Sequence, residues 1–194
     1  MKGQDIIVLL KLESLWRNNA DKKSAPADKL ITNKAAQDSH LFSLRKLGEE
    51  LGISKTEMSR SNHRNLESGL AKKDRESGLL KVNRKALLEF LVHGVKYVFP
   101  VKPAEVVRGL PTAYAAPVLA GKVMSAGELI PVWPDASSQQ MGQAIQPLYD
   151  SAVSVAKTDA FIYDALALVD AIRIGAPREA ELAKKLLKQH LQVK

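Results

Sequence analysis

Leu44-Arg45-Lys46-Leu47-Gly48-Glu49-Glu50-Leu51-Gly52-Ile53-Ser54-Lys55-Thr56-Glu57-Met58-Ser59-Arg60 is the stretch that decides the fold. Ser43 stands where a helix cap is needed, and the apolar spacing predicts a helix through Leu51 that Gly52 breaks. Ser54, with Glu57 three residues on, carries the capping-box signature, in which each side chain satisfies a backbone donor left unpaired at the helix start. A second helix is therefore expected from Ser54 to Glu67. Two helices that cross closely need a small residue on the first, and Gly48 supplies it. The tight turn between them needs a residue that tolerates positive φ, and Gly52 supplies that. Leu47, Leu51, Ile53 and Met58 are the expected junction core.

Gly69 ends the second helix. Leu70 to Lys73 and Leu79 to Val82 are then expected to pair as a hairpin around Asp74-Arg75-Glu76-Ser77-Gly78. The Leu44–Arg60 pattern resembles the helix-turn-helix of many bacterial regulators. With the helix end Leu66-Glu67-Ser68-Gly69-Leu70 and the basic hairpin behind it, the order resembles the MarR-like and related winged-helix families. The resemblance covers Leu44 to Val82 closely and Gln4 to Val95 loosely. It implies a DNA-binding domain whose second helix enters the major groove while the hairpin, the wing, touches the flanking backbone.

One departure stands inside the resemblance. Asn62 and Asn65 fall one and two turns after Met58, on a face those families fill with Leu or Val. Buried amides cost stability unless hydrogen-bonded. Either the helix is rotated, or these side chains bond across the domain, or the face meets something else.

On a regular helix the groove-facing positions are Lys55, Thr56, Ser59, Arg60 and His63, with Ser54 at the cap and Arg45 and Arg64 beside them. Lys55 and Arg60 suit phosphate or guanine, and Thr56 and Ser59 suit phosphate or base edges. In the wing, Lys72, Lys73 and Arg75 are the backbone-contact candidates. The competing reading is that all of these are solvated charges on a winged domain used for protein contact.

The charge distribution points the same way. The chain of 194 residues carries a net charge of +8. From Met1 to Arg108, 21 lysines and arginines face 13 acids; from Gly109 onward 8 face 8. The excess is confined to the half that holds the helix-turn-helix pattern, as expected of a nucleic-acid-binding module joined to a neutral one. Apolar residues make up 45%, enough for a core, while 5% aromatics argues against a stacking platform for single strands. The absence of cysteine excludes disulfides and thiolate metal sites.

Outward from the centre, Gln4 to Trp16 reads as an amphipathic helix and Asn18 to Ser39 as a polar loop with a short helix at Lys29 to Gln37. Leu41-Phe42 reads as a very short strand and Lys85 to Val95 as another amphipathic helix. Seven prolines between Tyr97 and Pro147 imply short regular structure, with one or two helical turns at Pro103 to Arg108. Thr158 to Ile174 is a strongly apolar helix that must be packed. Pro177 suits the first turn of a last helix, with Glu179 and Glu181 near its start and Lys184, Lys185 and Lys188 further on. The segment Arg108 to Pro117 reads as an extended connector or a ligand groove, and Trp133 as a core plug or a partner anchor.

No catalytic constellation is visible. His40, His63, His93 and His190 have no metal-ligand spacing, and His93 reads as a packed or capped residue of an apolar helix. Asp159 fits a helix N-terminal turn, and the six-residue spacing of Asp164 and Asp170 puts them on different faces. Neither cofactor nor metal is expected. The run Ile6 to Leu10 is too short to span a bilayer and lacks a cleavage site, so no membrane association and a cytoplasmic location are expected.

The fold expected is mainly α with a small β wing. Residues 1–96 form a winged helix-turn-helix domain, 97–147 a proline-rich irregular connector, and 148–194 a helical domain for dimerisation or partner binding. The function expected is sequence-specific binding of double-stranded DNA by a homodimer. The chain would act as a transcriptional repressor, or as the DNA-binding antitoxin of a toxin–antitoxin pair whose C-terminal half grips a protein partner. The alternative is a protein-interaction or scaffold module without DNA contact.

Overall fold

The computed structural model describes residues 1–24, 40–122 and 129–193. The chain is mostly helical with five short strands among the described residues, and it divides into two compact units, Met1–Asn83 and Arg84–Lys194. The first unit contains α1 (Gly3–Ser24), α2 (Leu44–Leu51), α3 (Lys55–Glu67) and the strands β1 (Ala71–Lys73) and β2 (Leu80–Val82). α1 packs against α3, β2 and α2. Ile6, Ile7, Val8, Leu9 and Leu10 are all fully buried, so this helix is covered on every side rather than along one stripe. It runs past the expected end at Trp16 to Ser24, because Asn18 and Asn19 lower helix propensity without breaking a helix. The short helix expected at Lys29 to Gln37 lies outside the described residues.

Leu41-Phe42 is not a strand. Leu41 is helical and Phe42 lies in a turn, buried and packed against the Trp16 ring at 5.2 Å between centroids. The hairpin is two-stranded, in the expected register about Asp74–Gly78: Ala71 pairs with Val82 and Lys73 with Leu80. Asp74 shapes its turn by accepting from the Ser77 backbone N–H at 3.1 Å and the Ser77 hydroxyl at 2.8 Å. The indole N–H of Trp16 donates to the Leu80 carbonyl at 2.8 Å and ties the hairpin base to α1.

The second unit begins with α4 (Arg84–Glu89), which continues through a π-helical turn (Phe90–Gly94) into α5 (Val95–Val98). The expected helix over Lys85 to Val95 is therefore present but longer, and it belongs to the second unit rather than to a domain ending at residue 96. The stretch read as an irregular connector holds β3 (Val106–Pro111), β4 (Pro131–Pro134) and β5 (Met141–Ala144). β3 pairs antiparallel with both others, and β4 pairs parallel with β5, closing a three-stranded barrel. Proline does not forbid this: Pro111 ends β3, and Pro131 and Pro134 bound β4, where a missing N–H costs least. The helical turns expected at Pro103 to Arg108 give way to β3.

Three helices complete the unit: α6 (Ala152–Thr158), α7 (Ala160–Ile174) and α8 (Pro177–His190). Asp159 caps α7, accepting from the Ile162 N–H at 3.2 Å, as its place in the sequence suggests. Pro177 opens α8, and the Glu179 carboxylate accepts from the Ala176 N–H at 3.0 Å. α7 buries nine of its residues, and its one acidic core residue is Asp170, 1% exposed. That carboxylate accepts from the indole N–H of Trp133 at 2.6 Å, the Thr112 hydroxyl at 3.0 Å and the Arg173 guanidinium at 2.6 Å. Burial pushes its pKa up, against Arg173, Trp133 and Thr112, which favour the carboxylate. Trp133 is thus a core plug, and Arg108 to Pro117 is a strand and turn fastened to α7, with Tyr163 also donating to the Pro111 carbonyl at 2.7 Å.

The Asp170 cluster generates a test. Asp170→Ala strips Arg173 of its counter-ion and leaves the Trp133 indole and Thr112 hydroxyl unpaired in the core. The expected loss in urea denaturation is about 3–5 kcal/mol. A change within about 0.5 kcal/mol, the range of an ordinary surface substitution, would show that the carboxylate does not hold strand and helix together.

Candidate nucleic-acid interface

The junction between α2 and α3 is built from short-range rules. Ser43 caps α2, its side-chain oxygen accepting from the Lys46 N–H at 3.2 Å. Gly52 closes the helix in the left-handed region at φ 63°, and Ile53 N–H returns to the Gly48 carbonyl at 2.9 Å. A Cβ on Gly48 would stand 2.5 Å from the Ile53 carbonyl oxygen, so the crossing needs glycine there. Leu47, Leu51, Ile53 and Met58 are all buried. Ser54 caps α3 by accepting from the Glu57 N–H at 3.3 Å.

The second half of the expected capping box is absent. The Glu57 carboxylate turns instead to α1 and to its own helix: Oε2 accepts from Gln4 Nε2 at 2.9 Å and Lys2 Nζ at 3.4 Å, and Oε1 from Arg60 Nη1 at 2.8 Å. The hydrogen bonds from Arg60 and Gln4 hold its pKa down at about 2.

The inward face of α3 is Met58, Ser61 and Asn65. The Asn65 amide donates to the Asp5 carbonyl at 3.3 Å, so one of the two unexpected asparagines bonds across to α1. The side-chain oxygen of Asn62 is buried and finds no hydrogen-bond partner. Asp5 itself is fully buried, and Arg64 grips its carboxylate with two bonds, Nη2 to Oδ1 at 2.7 Å and Nε to Oδ2 at 2.9 Å. Burial works to raise the Asp5 pKa, but Arg64 and the Lys2 backbone N–H together hold it below the ordinary value. Arg64 therefore leaves the candidate contact face: a buried carboxylate on α1 claims it.

The outward face is what remains. Lys55, Thr56, Ser59, Arg60 and His63 are exposed along α3, with the Ser54 cap exposed at its start. His63 stands beside Glu67 at 3.2 Å. Arg45, on α2, is exposed and pairs with Glu49 one turn on at 3.0 Å. In the hairpin, Lys72, Lys73 and Arg75 are exposed, and none makes an ion pair with a described residue. Lys81 is committed, 3.4 Å from Asp74 and 4.8 Å over the Trp16 ring. The sequence reading missed Lys2, Gln4, Asp5 and Glu57 as partners of this face. One signal was available: an aspartate directly before five consecutive apolar residues on a buried helix demands a cation elsewhere.

Elsewhere the described side chains assemble no group of three or more possible metal ligands. His93 is not packed: its side chain is 71% exposed, 3.6 Å from Glu89 on the preceding turn. No helix among the described residues is long and apolar enough to cross a membrane. The chain matches no protein-family model, and no curated protein and no solved structure is significantly similar to it.

Two measurements follow from this geometry. Gly48→Ala forces a Cβ against a backbone oxygen and is expected to lower stability by about 1–3 kcal/mol, read by urea unfolding. The depressed pKa values of Asp5 and Glu57 give stability that is complete above the unfolded carboxylate value near 4.5 and is lost as pH falls toward 2. The melting temperature of the whole chain should therefore drop on acidification through that window. Asp5→Asn should be less stable at neutral pH and should drop less. Equal drops would take Asp5 out of the acid response.

Proposed function

We propose that the chain binds double-stranded DNA through residues 44–82, working as a winged helix-turn-helix. The observation that carries this reading is the outward face of α3. A helix packed by Met58, Ser61 and Asn65 turns Lys55, Thr56, Ser59, Arg60 and His63 to solvent, beside a hairpin whose Lys72, Lys73 and Arg75 have no ion-pair partner among the described residues. Hydroxyls and cations on one helix face, with basic flanks, suit base edges and phosphates respectively. The confinement of the net charge to the N-terminal half supports the same reading.

Within that class, the reading is a transcriptional repressor or a DNA-binding antitoxin, acting in the cytoplasm as a homodimer. One such helix reads only a few base pairs, and a two-fold pair doubles the footprint. The second unit has its own core, and its residues from Gly109 onward are charge-balanced, so it is the part available to a protein partner; co-purification of such a partner separates antitoxin from repressor.

Fluorescence anisotropy with random-sequence duplex DNA at two salt concentrations tests the reading. Binding should weaken as salt rises, and Lys55→Glu with Arg60→Glu should weaken it further. Lys72→Glu with Lys73→Glu should flatten the salt dependence, by a slope of about 0.9 for each phosphate that is no longer neutralised. Absence of binding at low salt would replace this function with that of a protein-interaction module.

A further inference from the structure

We propose that Arg60 is the guanine-reading residue of this face, held in reading position by Glu57, which the start of α1 anchors in turn. This rests on the DNA-binding function proposed above and adds the base it reads.

The cations of α3 differ in what holds them. Arg64 is turned inward onto Asp5. Lys55 carries a freely rotating ammonium with no ion-pair partner among the described residues, which suits a phosphate as a point charge. His63 lies against Glu67. Arg60 projects from the helix with its side chain 66% exposed, yet one end of its guanidinium is fixed: Nη1 donates to Glu57 Oε1 at 2.8 Å. Glu57 is not itself free to follow, because Gln4 and Lys2 hold its other oxygen. A chain of hydrogen bonds therefore runs from the start of α1 through one carboxylate to one guanidinium. The same bonds keep Glu57 ionised across the physiological range.

The consequence is chemical. With Nη1 occupied, Nε and Nη2 form the remaining edge, two parallel donors that no described residue accepts. Two parallel donors match the O6 and N7 acceptors that guanine alone presents side by side in the major groove. Adenine offers a donor in place of O6 and meets the same edge with a clash of donors. Holding the guanidinium before binding also removes part of the rotamer entropy that binding would otherwise cost. Glu57 contributes a second effect: its charge repels phosphate, so it lowers affinity for DNA in general while sharpening affinity for the right base.

The test is in vitro selection from a random duplex library with the whole chain, followed by anisotropy on the selected duplex. A guanine should be invariant at one position of the selected site. Replacing it with 7-deazaguanine, which lacks N7, should weaken wild-type binding by about 10- to 100-fold. Replacing it with inosine, which keeps both major-groove acceptors, should cost little. In Arg60→Ala the 7-deaza penalty should vanish, and Arg60→Lys should not restore it. Glu57→Gln should bind random duplex more tightly than wild type and discriminate guanine from 7-deazaguanine less. A merely structural Glu57 would not move these two in opposite directions. An unchanged 7-deaza penalty in Arg60→Ala overturns the assignment of Arg60 and leaves DNA binding standing. Unchanged discrimination in Glu57→Gln overturns the positioning role. No binding to the library at low salt overturns DNA binding and this assignment with it.

Discussion

A fully buried carboxylate sets the arrangement of the N-terminal unit. Asp5 sits on α1 among side chains that exclude water, and an isolated charge there would be strongly destabilising. Arg64 satisfies it with two parallel bonds. Because Arg64 belongs to α3, the same pair fixes the rotation of α3 about its own axis. Ser61 and Asn65 follow inward on the same side, and Asn65 reaches the Asp5 carbonyl. Thr56, Ser59, Arg60 and His63 are left facing out. Asn65, where an apolar residue was expected, is thus part of the docking, and the composition of the outward face is a consequence of it.

The second unit repeats the device in another fold. Asp170, on a strongly apolar helix, collects an indole N–H from β4, a hydroxyl from the turn after β3 and a guanidinium one turn along its own helix. Arg173 goes on to donate to the Phe99 and Gln146 carbonyls. A barrel of three short strands has little ladder of its own, so its attachment to the helices depends on such cross-links and on Trp133 filling the space between them. In both units the groups that specify the packing are polar and buried, and the apolar residues around them supply the bulk of the burial.

The first unit commits Arg64 and Lys81 to its own structure and still presents lysines and an arginine on the hairpin without ion-pair partners among the described residues. The second unit has 13 lysines and arginines against 10 acids, with the two equal from Gly109 onward.

The sequence by itself determined what depends on near neighbours. Gly48, Gly52, Ser43 and Ser54 announce two capped helices and the turn between them, because capping and positive φ are decided within four residues. The hairpin register about Asp74–Gly78 and the helix starts at Asp159 and Pro177 were legible for the same reason. Only the tertiary structure decided where Glu57, Arg64 and Asp170 would turn. Their partners lie 53, 59 and 58 residues away for Gln4, Asp5 and Thr112, and no local pattern encodes such a pairing. It also decided that a proline-rich stretch is a barrel, since proline excludes itself from the interior of a ladder but not from its ends. Which cations face solvent was settled last, by which of them a buried carboxylate had already claimed.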